Sequence, residues 1–174
     1  MRQKTHRVLW ILAVELPALS PGCGQDRFEM ELAKEKLAVS LAREVGRGAY
    51  ALITAEELRE LLGQKPDLIL VDALPYEESY RADHLPGARS FPFPIPEMAE
   101  WDEKQVGGKT KEDYSAFLGE DESKPVVVYC GCVNCGRSHN AALWAVKLGY
   151  TDVRRFAGGI NAWKGAGLPT ESSP

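Results

Sequence analysis

Residues 125–148 constrain the fold of this chain more than any other stretch. "PVVVYC" is a continuous aliphatic run that suits a strand covered on both faces, and "SHNAALWAVKLGY" carries helical spacing that stops at Gly149. Between them lies "GCVNCGR", so a buried strand feeds a cysteine-bearing loop and then a helix. Similar units recur along the chain. Tyr50 to Ile53 leads into Thr54, which with Glu57 has the pattern of a capping box before a short helix ending near Gly63. Leu68 to Val71 reads as a second buried strand, and "YEESYRADHLPGARSFP" as a short helix, a turn through Pro86-Gly87 and a brief strand. "DVRRF" predicts a last strand and "GGINAWKGAG" a closing helical turn. Strand and helix alternate throughout, which favours an α/β fold with a mainly parallel sheet flanked by helices.

Two segments stand outside this pattern. Residues 92–124 form a long connection rich in Pro, Gly and charge, with one predicted helix at Lys111 to Leu118. Near the N-terminus, "QDRFEMELAKEKLAVSLAREVGRG" places Met30, Ala33, Leu37, Leu41 and Val45 at helical spacing and reads as a spacer or a cover packed on the domain. The expected organisation is a signal at 1–23, a helical spacer at 24–49 and the α/β domain at 50–174.

The signal is expected because basic residues from Arg2 to Arg7 precede "VLWILAVELPALSPGC", an apolar run ending in small residues and Cys23. Glu15 and Pro17 interrupt it well before the about 20 residues that a transmembrane helix needs. The junction Gly22-Cys23-Gly24 resembles a bacterial lipoprotein processing site, although Ser20 and Pro21 depart from the usual pattern. That likeness predicts a lipid on Cys23, attachment to a membrane and a location in the bacterial cell envelope, on the periplasmic side. Without the signal the location would be cytoplasmic. The net charge of -4 gives nucleic-acid binding no electrostatic support.

Three cysteines within six positions belong to a site rather than to a disulfide framework. Loop amides and a helix N-terminus attract anions and lower a thiol pKa, and Arg137 adds a fixed positive charge, so the loop suits an anionic sulfur donor.

With these residues in place, the chain resembles the rhodanese-like sulfurtransferases over about Ile53 to Pro169. The resemblance rests on "LILVDAL" with Asp72, "HLPGA" at His84 to Ala88, "VVVYC" ending at Cys130, "RSHNAALWAVKLGY" and "GGINAW" at Gly158 to Trp163. It implies a rhodanese-like α/β fold and a cysteine persulfide that receives sulfur from a thiosulfate-like donor and passes it to a thiol or cyanide-like acceptor. Arg137, Ser138 and the loop amides would bind the donor, with no cofactor. Leu74 stands where the family usually has an arginine, and the loop is two residues longer than usual. Counting from the strand makes Cys130 the nucleophile; counting back from Arg137 makes it Cys132. Cys130 is preferred, since extra residues are absorbed more easily at a loop tip than in a buried strand. Cys135 would then be a resolving or second sulfur-carrying thiol.

Two other readings compete. Cys132-Val133-Asn134-Cys135 is a C-x-x-C that could support thiol-disulfide exchange. Cys130, Cys132, Cys135 and His139 could instead offer soft ligands to a metal. Phosphatase chemistry fails on spacing, because neither Cys130 nor Cys132 stands at the required distance from Arg137. Asp72 and His84 are expected to hold turns, and Trp101 and Trp163 to fill the core.

Overall fold

The computed structural model describes residues 25–174. Cys23 and the expected signal lie outside the described residues, and no described helix is long and apolar enough to cross a membrane. The elements run α1 (Gln25–Gly48), β1 (Ala51–Leu52), α2 (Ala55–Gln64), β2 (Ile69–Asp72), β3 (Arg89–Ser90), α3 (Lys111–Leu118), β4 (Val126–Tyr129), α4 (Arg137–Lys147), β5 (Val153–Phe156) and α5 (Gly159–Gly165). The expected second helix, strands, α3 and closing turn are all present, and Thr54 and Glu57 do form the capping box. A single π-helical turn at Tyr76–Tyr80 replaces the short helix expected there.

The sheet order is β1-β5-β4-β2-β3 and every pair is parallel, which places β4 at the centre. Both neighbours pair along its full length, Val126 with Ile69 and Val153, Tyr129 with Asp72 and Phe156. All four β4 residues are buried, as a strand covered on two faces requires.

Alternation along β4 then sorts side chains between two cores. Val126, Val128 and Cys130 face α4 and α3 and pack with Ala141, Ala142, Ala145, Tyr114, Phe91 and Phe93. Val127 and Tyr129 face α2 and α5 and pack with Leu58, Leu85, Phe156, Ile160 and Trp163. This parity directs the Cys130 side chain towards α4.

The connection after β3 is clamped to α4. Asn140 donates to the carbonyls of Pro94 and Pro96, both at 2.8 Å, and accepts from the Met98 N–H at 2.9 Å. Trp101 lies partly buried against this aromatic core, and Trp163 is buried in the other one with its indole N–H on the Pro169 carbonyl. Helix α1 is more than a spacer. Its C-terminal half packs on α4, whereas Phe28, Met30 and Leu32 near its start stay exposed.

Candidate active site

The site begins where β4 ends. Cys130 is fully buried, with its Sγ 3.1 Å from Ser138 Oγ and 3.2 Å from the Cys135 carbonyl. Its own carbonyl and that of Gly131 accept from Ile160 and Asn161 at 2.9 and 3.1 Å, so the first turn of α5 holds the loop's first residues. That approach needs a glycine at 159: φ is +59°, and a Cβ there would stand 2.1 Å from the Cys130 carbonyl oxygen. Gly136 serves the far end of the loop in the same way, since a Cβ would fall 2.2 Å from the Ile95 carbonyl oxygen.

Beneath the loop sits Arg155. Parity in β5 turns Arg154 outward to Asp152 and Arg155 inward, where its side chain has no exposed surface. A buried guanidinium must find partners for its donors. Nε donates to Ser138 Oγ at 2.9 Å, Nη2 to the carbonyls of Cys135 and Val133 at 3.1 and 3.4 Å, and Nη1 to Tyr50 Oη at 3.3 Å. Its counter-ion is Glu44 of α1, also on Nη1. Tyr50 Oη lies 2.7 Å from His139 Nδ1, and burial pushes the His139 pKa down. Sequence reasoning missed Glu44 and Arg155. The available signal was a charge in the inward register of "VRRF", two residues from buried Val153.

The three loop thiols differ in setting. Cys132 is exposed at the loop tip. Cys135 is half-buried, and the buried Cys130 Sγ lies 3.2 Å from its carbonyl oxygen. The neighbouring Cys130 thiol foremost, then the backbone amides of Arg137 and Gly131 and the Arg137 charge, lower the Cys135 pKa to about 6 against the cost of burial. The same pairing with Cys135, reinforced by burial, pushes the Cys130 thiol up. Cys135 stands six residues beyond the end of β4.

One expectation needs correction on geometry. Ser138, expected at the donor, is fully buried between Cys130 Sγ and Arg155 Nε and presents no surface to a ligand. Among the described residues no group of three His, Cys, Asp or Glu side chains is gathered to hold a metal, which lends no support to the rival metal reading. Arg137 is half-buried beside Cys135 and donates to the Phe93 carbonyl. Asp72 holds the turn after β2 through Oδ1, which accepts from the Leu74 N–H at 2.8 Å, and His84 Nδ1 meets the Tyr80 carbonyl at 2.8 Å.

A five-stranded parallel sheet whose central strand delivers a thiol loop to a helix N-terminus defines a cysteine-loop α/β protein. The chain belongs to the rhodanese-like domain family, whose model matches residues 54–166. Sulfurtransferase-type chemistry is the class of reaction this family brings with it. The chain is similar to the HTH-type transcriptional regulator Rv0324 of Mycobacterium tuberculosis, 33% identical over 135 residues, covering 78% of this chain and 50% of that protein. It is also similar to the sulfur carrier protein TtuD of Thermus thermophilus, 27% identical over 161 residues, 87% of this chain and 52% of the relative. The chain thus spans about half the length of the curated relatives it matches. The fold is shared with the polysulfide-sulfur transferase homodimer of Wolinella succinogenes at a TM-score of 0.55 and 22% identity, covering 78% of this chain and 88% of that one.

Proposed function

We propose that the loop transfers sulfane sulfur through a cysteine persulfide, with Cys135 as the attacking thiolate in place of Cys130. A thiosulfate-like dianion gives its outer sulfur to the Cys135 thiolate. The S–S bond of the donor breaks, sulfite leaves with the bonding pair, and the persulfide passes to a thiol or cyanide-like acceptor. One observation carries this assignment: Cys135 is half-buried at the N-terminus of α4, within reach of a ligand, whereas Cys130 has no exposed surface. The amides that ionise the thiol also suit the anionic donor, and Arg137 sits beside both. A relative named as a sulfur carrier supports the same class of chemistry.

Sulfite release from thiosulfate tests the reading. Wild type and Cys132→Ser release it, and Cys135→Ser does not. Release by Cys135→Ser at the wild-type rate would return the nucleophile to Cys130.

On the pattern of residues 1–23 alone, we propose export to the bacterial envelope and lipid attachment at Cys23. Labelled fatty acid then enters the wild-type chain in bacterial cells and not Cys23→Ser; equal labelling of both would refute it.

A further inference from the structure

Cys130 has no exposed surface, yet its Sγ lies 3.2 Å from the carbonyl oxygen of Cys135, the residue that the donor would reach. A buried thiol in that position can serve only its neighbour. Its surroundings are also built for charge. Ser138 Oγ accepts from Arg155 Nε at 2.9 Å and lies 3.1 Å from Cys130 Sγ. With Arg155 occupying its acceptor side, the Ser138 hydroxyl is free to donate to a sulfur that loses its proton.

We infer that Cys130 resolves the Cys135 persulfide, so that the site releases sulfide and closes a Cys130–Cys135 disulfide. The inference rests on sulfur uptake at Cys135. Cys130 Sγ attacks the inner sulfur of the persulfide, Cys135 Sγ, and the bond to the outer sulfur breaks. The outer sulfur leaves with the bonding pair and takes the Cys130 proton, departing as hydrosulfide. The sulfane sulfur is reduced, and the two thiol sulfurs are oxidised to the disulfide. No external oxidant is needed. The next turnover requires a dithiol reductant, which returns both cysteines to thiols by exchange and is itself oxidised.

This differs from exchange at the C-x-x-C. The thiol packed against Cys135 is that of Cys130, across four intervening residues, and Cys132 stands exposed at the tip.

The test is a single turnover of fully reduced protein with thiosulfate, under anaerobic conditions and with no added reductant. Wild type is expected to release sulfite and sulfide in equal amounts, to lose the mass of two hydrogens, and to yield a peptide bridged between Cys130 and Cys135. Cys130→Ser and Cys130→Ala, studied at alkaline pH where Cys135 is ionised without its partner, should release sulfite, gain the mass of one sulfur and release no sulfide. Wild type that releases sulfite but retains the sulfur, or that bridges Cys132 to Cys135, overturns the inference while sulfur uptake stands. Absence of sulfite release from wild type overturns the uptake reading and this inference with it.

Discussion

Glu44→Gln isolates the charge of the buried ion pair beneath the loop. Glutamine keeps chain length, helix propensity and a carbonyl oxygen that can accept from Arg155 Nη1, so the loss is mainly electrostatic. Breaking a buried pair costs about 3–5 kcal/mol when the remaining charge is left uncompensated. Two features reduce that figure. The Glu44 side chain is 21% exposed, and Arg155 keeps Ser138, Tyr50 and two loop carbonyls as partners. A loss of about 2 kcal/mol is therefore expected, which at a urea slope of about 2 kcal/mol/M lowers the midpoint by about 1 M. The internal control is Glu97→Gln. It breaks the Arg47–Glu97 pair, whose side chains are 49% and 42% exposed, and should cost less than about 1 kcal/mol. Urea unfolding followed by tryptophan fluorescence reads both. Because Arg155 holds the carbonyls of Val133 and Cys135, Glu44→Gln should also slow sulfite release. Equal midpoints for the two variants would refute the view that α1 supplies part of the site.

Three further outcomes follow from single residues. Alkylation of Cys135, mapped by mass spectrometry against pH, should be half-maximal near the value of about 6 to which its pKa is lowered, and should move upward in Cys130→Ala; an unmoved profile would deny the effect of the neighbouring Cys130 thiol. Gly159→Ala should lower the melting temperature much more than Gly167→Ala. Both have positive φ, +59° and +70°, but only at 159 does a Cβ meet backbone, at 2.1 Å. Equal shifts would show that conformation alone matters. Burial raises the Asp72 pKa from 3.8 to about 6, so the folded state holds a proton that the unfolded chain gives up. Stability should fall as pH rises through that interval, by about 3 kcal/mol at most, and Asp72→Asn should remove the slope; an unchanged slope in urea unfolding would refute this.

Much of the architecture was legible in the chain because its signals are local. Thr54 and Glu57 announce a helix start three residues apart, Gly149 a helix end, and four consecutive buried residues in "VVVY" a strand with cover on both faces. The parallel sheet follows from the strand and helix alternation, and the site from thiols between a buried strand and a helix N-terminus. Helix Lys111–Leu118 inside the long connection was also expected, and in the structure Thr110 and Asp113 form its cap. What sequence alone determined is therefore the fold class and the place of the site.

Tertiary structure decided how deeply each thiol is buried. The Cys130 side chain follows strand parity into the α4 core, and the loop then folds Cys135 back over it, with the Cys135 carbonyl 3.2 Å from Cys130 Sγ. Spacing in the chain specifies neither orientation, because a loop of this length can present either sulfur. The ion pair beneath the loop joins residues 111 positions apart. Glu44 carries no local sign of its partner, and it becomes part of the site only when β5 turns Arg155 inward and α1 packs on α4. A buried charge must be paired, and only the assembled sheet and helices determine which distant side chain can reach it.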